Sequence, residues 1–246
     1  MSTRTGMVVD PALSEVRATR YKAKVESVSP KANRTAFEDA DECFLGVSLE
    51  NDSFDVPKLE GIVEWISRRF RRCTVLVGDS IHRLTLSATA ALSPEPALAR
   101  ALELGREFIA DRQPVFDLFS DRTDFTVVTC AEVRWWADHD GFHRRLRSQF
   151  AEDPVFRASV ESFGRRYHSR GATDLDGQEL AKRVAISSEY FLEEFAVFCC
   201  LRARGLSVMV YPGSFSSLAE VAEGAHPDAP RELRDLTVVS LQLKGR

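Results

Sequence analysis

The sequence predicts an α/β fold, with a Rossmann-like domain whose mostly parallel central sheet is flanked by helices. Short apolar runs rich in β-branched residues alternate along the chain with longer segments of helical period. Several of these runs are apolar at consecutive positions, which indicates strands that are buried on both faces and therefore paired in parallel. The composition, with 44% hydrophobic and 28% charged residues, is ordinary for a chain that folds around a core.

The predicted strands follow a lead-in at residues 1–20, which has no hydrophobic period and is expected to be flexible. The remainder, 21–246, is expected to form a single domain. Six segments have the composition of strands, namely 21–27, 43–48, 74–78, 125–130, 207–211 and 236–243.

Helices are predicted between these strands, over 58–72, 95–112 and 176–204, with one or two more over 140–168. Asp55 and Pro57 precede the first of them as start signals. The segment 176–204 is apolar almost all round from Ile186 onward, so we expect a buried helix there. Strands and helices in this order form a doubly wound sheet with right-handed crossovers.

Charge and composition limit the possible functions. The net charge of −4 would not draw the protein onto DNA, so any nucleic-acid contact needs a local basic patch. The sequence shows neither a secretory leader nor an apolar run long enough to span a membrane. Its five cysteines include no C-x-x-C pair, so we expect reduced thiols in a cytoplasmic protein. Arginine clusters lie at 68–72, 144–147 and 165–166.

Several known motifs are absent or incomplete. The stretch Gly46-Val47-Ser48-Leu49-Glu50 resembles the nucleophile elbow G-x-S-x-G but ends in Glu50. No phosphate-binding glycine motif occurs, so no ATP, NAD or other cofactor is expected. His139 and His143 are four residues apart without a third ligand, which favours a polar turn over a metal site. His82 follows a strand end, where it fits a ligand site and a helix start equally well.

Three features favour a functional site. Ser48 follows an early strand, where it can cap a helix or act as a nucleophile. Tyr190 and Glu194 are four residues apart on the buried helix, and no Lys or Arg lies three or four residues from Glu194. A buried carboxylate needs a partner, either a ligand ammonium or an arginine from another helix. Tyr211 ends a buried strand before Pro212 and Gly213.

These residues resemble the cyclodipeptide synthases, which make diketopiperazines from two aminoacyl-tRNAs. The resemblance extends from about residue 40 to the C-terminus and rests on four short motifs in the family's order. They are GVSLEN (46–51), WISRRF before a strand that ends in GDSIHR, YFLEE (190–194) and YPG (211–213). The Tyr-Pro pair is similar to one branch of the family, whereas Asn51 stands where the other branch has its Asn.

The resemblance implies a fold similar to the catalytic domain of class I aminoacyl-tRNA synthetases, working as a monomer without ATP. By similarity, Ser48 takes the first aminoacyl group, Glu194 and Tyr190 hold its amine, and Tyr211 relays protons. Gly46 and Asn51 would help to bind the substrate. Four apolar residues would line the pocket of the first side chain: Phe44, Leu76, Val197 and Met209. The alternatives are a non-catalytic Rossmann-like binding protein and a serine-dependent acyltransferase or hydrolase that acts on other esters.

Overall fold

The central sheet contains six strands. The computed structural model describes residues 20–171, 176–213 and 216–245. The strands are β1 (Tyr21–Ser29), β2 (Glu42–Val47), β3 (Arg72–Val77), β4 (Asp124–Thr129), β5 (Val208–Pro212) and β6 (Thr237–Gly245). Their order in the sheet is β1-β6-β5-β2-β3-β4, with β1 antiparallel to β6 and the other neighbours parallel. The predicted α/β fold with a mostly parallel sheet is confirmed.

Each predicted strand is present, with ends that differ from the prediction by one or two residues. The shift matters at β2, which ends at Val47 and leaves Ser48 just beyond the strand, in the following turn. The predicted lead-in lies outside the described residues except for Arg20. The division of the chain into a lead-in and one domain therefore stays a prediction.

Nine helices lie within the described ranges. They are α1 (Val56–Ser67), α2 (Asp79–Thr89), α3 (Pro94–Asp117), α4 (Cys130–Val133), α5 (His139–Glu152), α6 (Pro154–Gly171), α7 (Gly177–Ala203), α8 (Ser216–Ala222) and α9 (Arg231–Arg234). The region predicted as one or two helices contains two, because Pro154 begins a new helix after the break at Asp153.

Two helix predictions differ from the structure at their C-terminal ends. The helix predicted over 58–72 is wrong beyond Ser67, because Arg72 already belongs to β3. The helix predicted to end at residue 112 continues past Pro114 to Asp117. Its last turn persists because Val115 and Phe116 pack into the core, which offsets the hydrogen bond that proline removes.

Helix α2 was not predicted, because polar side chains form much of its buried face, including Asp79, Ser80 and His82. The Asp79 carboxylate accepts hydrogen bonds from its neighbour Ser80 N and from Ala131 N at the start of α4. Burial raises the pKa of Asp79 from its ordinary value, although these backbone bonds oppose the shift. Asp79 thus fixes the start of α2 beside the C-terminal ends of β3 and β4.

The two faces of the sheet carry different cores. Cys43, Leu45 and Val47 of β2 pack in the cluster that includes α1 and α3. Phe44 packs in the opposite cluster, against the long buried helix α7. Side chains alternate between the two faces of a sheet along each strand. Gly46 and Ser48, two and four residues after Phe44, therefore lie on the α7 face as well. In the described part of the chain, no helix has the length and apolarity that a membrane span requires.

Candidate active site

Ser48 and Tyr211 meet at the C-terminal edge of the sheet. The neighbouring strands β2 and β5 pair Phe44 with Met209 and Leu45 with Val210, which puts Tyr211 beside Gly46 and within reach of Ser48, just beyond the end of β2. The Ser48 Oγ and the Tyr211 hydroxyl are 3.1 Å apart, at hydrogen-bond distance. Gly46 lies beside this contact, since a Cβ there would be in ordinary contact with the Tyr211 ring at 3.5 Å and close to Met209 Cε at 3.2 Å. The sheet thus brings together two predicted site residues that are 163 positions apart.

Asn51 supports the same hydroxyl. Its Nδ2 donates to the Tyr211 oxygen at 3.3 Å, and its Oδ1 accepts from Ser53 N at 2.9 Å. The second bond caps the short 3-10 turn Asp52–Phe54. Asn51 therefore links the turn after β2 to the tyrosine at the end of β5.

Glu194 lies on the face of α7 that covers this edge of the sheet. Its side chain is buried, and its Oε2 atom has no hydrogen-bond partner among the described residues. Burial raises the pKa of Glu194 to about 8, because the charged form loses its hydration without gaining a cation. Of the two partners expected from the sequence, an arginine from another helix is not in contact with this carboxyl group in the described part of the chain.

The phenols of Tyr190 and Tyr211 are both neutral at physiological pH. Burial and the proximity of Glu194 raise the pKa of Tyr190 well above its ordinary value, and a hydrogen bond with Ser48 opposes the shift. Burial likewise raises the pKa of Tyr211, against hydrogen bonds from Ser48 and Asn51. Ser48 therefore contacts two hydroxyl groups that can donate a proton but do not carry a charge.

These residues share one cavity of about 560 Å³. Its wall includes Ser48, Asn51, Tyr190, Glu194 and Tyr211, so the structure brings together all four predicted catalytic residues and Asn51. The cavity lies between the turn after β2, the helix α2 and the middle of α7. A cleft at the carboxyl ends of parallel strands is the usual ligand position in such sheets.

The four apolar residues expected to line a side-chain pocket lie elsewhere. Phe44, Leu76, Val197 and Met209 are all buried in the core between the sheet and α7. None of them is among the described residues that line the cavity. The difference arises because aromatic packing fills the space in front of Phe44, whose ring centroid lies 5.7 Å from that of Phe198. The apolar wall is instead formed by residues such as Leu84, Ile186 and Phe191.

Two further polar residues of the wall were not assigned a role from the sequence. Glu50 and His82 both line the cavity, and His82 Nε2 lies 2.9 Å from Glu50 Oε2. Glu50 adopts a left-handed backbone conformation, with φ of 54°. The sequence offered a clue, because Glu50 holds the position of the final glycine in the elbow motif, and glycine adopts a left-handed conformation easily. The contact between Glu50 and His82, 32 residues apart in the chain, could not be predicted from the sequence.

The histidine pair considered for a metal site forms no such site. His139 and His143 have ring centroids 6.0 Å apart, and His139 Nδ1 lies 3.4 Å from Asp140 Oδ1. Within the described residues, no three His, Cys, Asp or Glu side chains are grouped so that they could hold a metal ion. Each of the three arginine clusters is also partly neutralised, since Arg68, Arg72, Arg147 and Arg165 each contact a glutamate.

Two of the three comparisons with known proteins gave matches, and the descriptions of these matches agree. A family model described as cyclodipeptide synthase matches residues 24–208. Comparison with curated protein sequences gave no match. Among solved structures, a cyclodipeptide synthase from Fluoribacter dumoffii superposes with a TM-score of 0.76 at 20% identity, over 91% of this chain and 98% of that chain.

Two other solved structures are informative. A Mycobacterium tuberculosis protein, described as demonstrating that cyclodipeptide synthetases are related to type I tRNA synthetases, matches with a TM-score of 0.68. The identity is 18%, over 98% of this chain and 100% of that chain. A cyclodipeptide synthase from Candidatus Glomeribacter gigasporarum bound to Phe-tRNAPhe has a TM-score of 0.60 and 14% identity, over 84% of this chain and 89% of that one. At such identities the superpositions establish the fold.

Proposed function

The chain belongs to the cyclodipeptide synthase family, and we propose that it joins two amino acids, delivered as aminoacyl-tRNAs, into a 2,5-diketopiperazine. The observation that carries the proposal is the shared cavity, in which a serine hydroxyl and a buried carboxyl group, whose Oε2 has no partner among the described residues, face the same space. The hydroxyl group can accept an acyl group, and the carboxyl group can bind an amine. An aminoacyl ester contains both an acyl carbon and an amine.

In the first step, Ser48 Oγ attacks the ester carbonyl of the first aminoacyl-tRNA. A new ester bond forms to Ser48, the bond to the terminal ribose oxygen breaks, and the serine proton leaves with the tRNA hydroxyl. One ester replaces another, so the step is close to balanced and needs no ATP. Backbone N–H groups at Gly46 and Val47 are our candidates for stabilising the oxyanion.

The amine of this aminoacyl group is assigned to Glu194 and Tyr190. The pKa of Glu194, raised to about 8 by burial, is in the range of an ordinary α-amino group. A proton can therefore pass between amine and carboxyl at little cost, which suits a group that must bind an ammonium and later release a nucleophilic amine.

In the second step, that amine attacks the ester of a second aminoacyl-tRNA and forms a dipeptidyl-enzyme, releasing the second tRNA. The free amine of the dipeptide then attacks the ester to Ser48. The ring closes, the bond to Ser48 Oγ breaks, and the serine regains a proton from the reacting nitrogen. Tyr211, 3.1 Å from Ser48 Oγ, is our candidate for relaying this proton, and Asn51 holds it in place.

The apolar residues around the cavity favour a hydrophobic first amino acid. Leu84, Ile186 and Phe191 line it directly. Phe44, Leu76, Val197 and Met209 lie in the core behind them, and a role in side-chain selection would require the core to open toward the cavity. We further propose that the enzyme works as a monomer, in the cytoplasm where charged tRNAs are found, and belongs to the Tyr-Pro branch on the basis of Tyr211 and Pro212.

The experiment is intact-protein mass spectrometry after incubation with each aminoacyl-tRNA. We expect an adduct heavier by one aminoacyl unit, absent in Ser48→Ala, together with a cyclic dipeptide in the reaction mixture. Ser187→Ala is the matched control, because Ser187 lines the same cavity but its hydroxyl bonds to His168. An adduct that persists in Ser48→Ala would exclude this nucleophile. The absence of any adduct across all twenty charged tRNAs would favour a binding protein, and transfer from simple esters alone would favour another acyltransferase.

A further inference from the structure

A second polar pair faces the cavity and has no role in the steps above. The Glu50 carboxylate is about half exposed, whereas His82 is almost completely buried and lies 2.9 Å from Glu50 Oε2. His82 belongs to α2, which Asp79 and the Arg83–Glu193 ion pair attach to α4 and to α7. A carboxylate held by a buried side chain on an anchored helix has a fixed position on the cavity wall, unlike a free surface glutamate.

The backbone at Glu50 indicates that the side chain is held there against a local preference. Its φ of 54° lies in the left-handed region, which glycine adopts easily and glutamate does not. A glycine would fit the turn better, so the turn alone does not explain a glutamate at this position. Strained residues of this kind are typical of functional sites.

The charge of the wall points to the chemistry of the ligand. The described residues that line the cavity include the carboxyl groups of Glu50, Asp52 and Glu194, but no Lys or Arg. Such a wall attracts cations. The proposed reaction brings two amino groups into one cavity, and Glu194, with its unpartnered Oε2, accounts for only one of them.

We propose that Glu50, positioned by His82, binds the ammonium group of the second aminoacyl-tRNA and orients it for ring closure. This inference rests on the proposed function. The bound ammonium loses one proton to water, which reaches the cavity at the half-exposed Glu50. The resulting amine attacks the carbonyl carbon of the Ser48 ester, a C–N bond forms and the C–O bond to Ser48 breaks. Of the two protons on that nitrogen, one moves to Ser48 Oγ through Tyr211 and the other stays on the amide.

Asp52 is a weaker candidate for this role. The Lys58 ammonium lies 2.9 Å from the Asp52 carbonyl oxygen, so a positive charge of the protein already lies close to Asp52. In addition, no described side chain fixes the Asp52 carboxylate, whereas His82 fixes that of Glu50. Glu50 combines a negative charge, a defined position and access to the cavity.

The test separates the first acylation from the later steps. Wild type and Glu50→Gln are each given one aminoacyl-tRNA to measure the rate of adduct formation on Ser48. The preformed adduct is then mixed with a second aminoacyl-tRNA, and cyclic dipeptide is measured in a single turnover. We expect acylation to change by less than about twofold, and cyclic product to form at least about tenfold more slowly in Glu50→Gln. His82→Gln should slow the same step by a smaller factor, because it acts through Glu50.

Two controls keep the result specific. Glu26→Gln removes the same charge from an exposed position on β1, away from the cavity, and should leave both steps unchanged. Glu50→Gly relieves the left-handed backbone strain, so it should raise the melting temperature and still slow the formation of cyclic product. Activity retained in Glu50→Gly would identify Glu50 as structural and overturn the inference.

The remaining outcomes are also decisive. An equal loss of acylation and product in Glu50→Gln would mean a general disturbance of the site, and unchanged product formation would mean no role, so either result overturns the inference. If wild type forms no adduct at all, the proposed function fails and this inference fails with it. That outcome is distinct from a defect confined to the later steps.

Discussion

Two successive carboxyl groups on α7 have opposite surroundings. Glu193 forms a two-point ion pair with Arg83 of α2, with Arg83 Nη1 2.8 Å from its Oε2. Glu194 faces the cavity, where its Oε2 has no partner in the described part of the chain. A carboxylate satisfied by the protein itself holds two helices together, whereas a buried one left unsatisfied is available for a ligand.

The difference follows from the helix geometry. Successive residues of a helix are turned by about 100° from each other, so Glu193 and Glu194 cannot face the same neighbours. Glu193 is directed to α2, which supplies an arginine, and Glu194 to the end of the sheet, which supplies only neutral hydroxyl groups. Charge alone therefore does not identify the functional residue; the presence or absence of a protein partner does.

The largest effect is expected from Glu194→Gln. Because it removes the ionisable carboxyl group that we assign to the substrate amine, it should slow cyclic dipeptide formation by about 10²- to 10³-fold. It should also raise the melting temperature at neutral pH, since an unpaired buried ionisable group is lost. Glu193→Gln is the matched control, with activity per folded molecule retained and stability lower by about 1–3 kcal/mol, because Arg83 loses its partner. If the two variants showed the reverse pattern, the contrast between them would be refuted.

The pH dependence of stability sharpens the same contrast. The pKa of Glu194 is raised to about 8 in the folded protein, against about 4.3 in an unfolded chain. Between these values the unfolded chain releases a proton that the folded protein keeps, so the free energy of unfolding falls as pH rises. The slope approaches about 1.4 kcal/mol per pH unit for one such group.

The measurement is chemical denaturation of wild type and Glu194→Gln from pH 4 to pH 9. The stability advantage of Glu194→Gln should be small at pH 4, grow through neutral pH to a few kcal/mol, and level off above about pH 8. A constant difference between the two proteins across this range would mean that Glu194 is ionised in the folded state and paired.

The main features of this arrangement could be predicted from local pattern. Short apolar runs rich in β-branched residues identified all six strands, and the four-residue spacing of Tyr190 and Glu194 placed both on one face of α7. A serine at the end of β2 and a tyrosine at the end of β5 were expected at one edge, because the carboxyl ends of parallel strands lie together. The structure places them 3.1 Å apart.

What the sequence left undetermined depends on contacts between distant segments. The Arg83 partner of Glu193 is 110 residues away and lies on a helix that was not predicted, because its buried face is largely polar. The four residues expected to line the side-chain pocket were inferred from the family resemblance. Whether a buried apolar side chain lines a cavity or fills the core depends on its neighbours. For Phe44 the neighbour is Phe198, which fills the space.

Asn51 is expected to show a smaller effect. One of its hydrogen bonds stabilises a turn, and the other supports the candidate site. Its Oδ1 caps a turn of the protein, and its Nδ2 supports the site through Tyr211. Asn51→Ala should lose both, lowering the free energy of unfolding by about 1 kcal/mol and activity by about tenfold or less. Asn51→Ser keeps a capping oxygen but loses the Nδ2 group that reaches Tyr211, so it should retain the stability and show the same loss of activity as Asn51→Ala. Measured melting temperatures and single-turnover rates would separate the two bonds, and equal activity in Asn51→Ser and wild type would show that Tyr211 needs no support from this side.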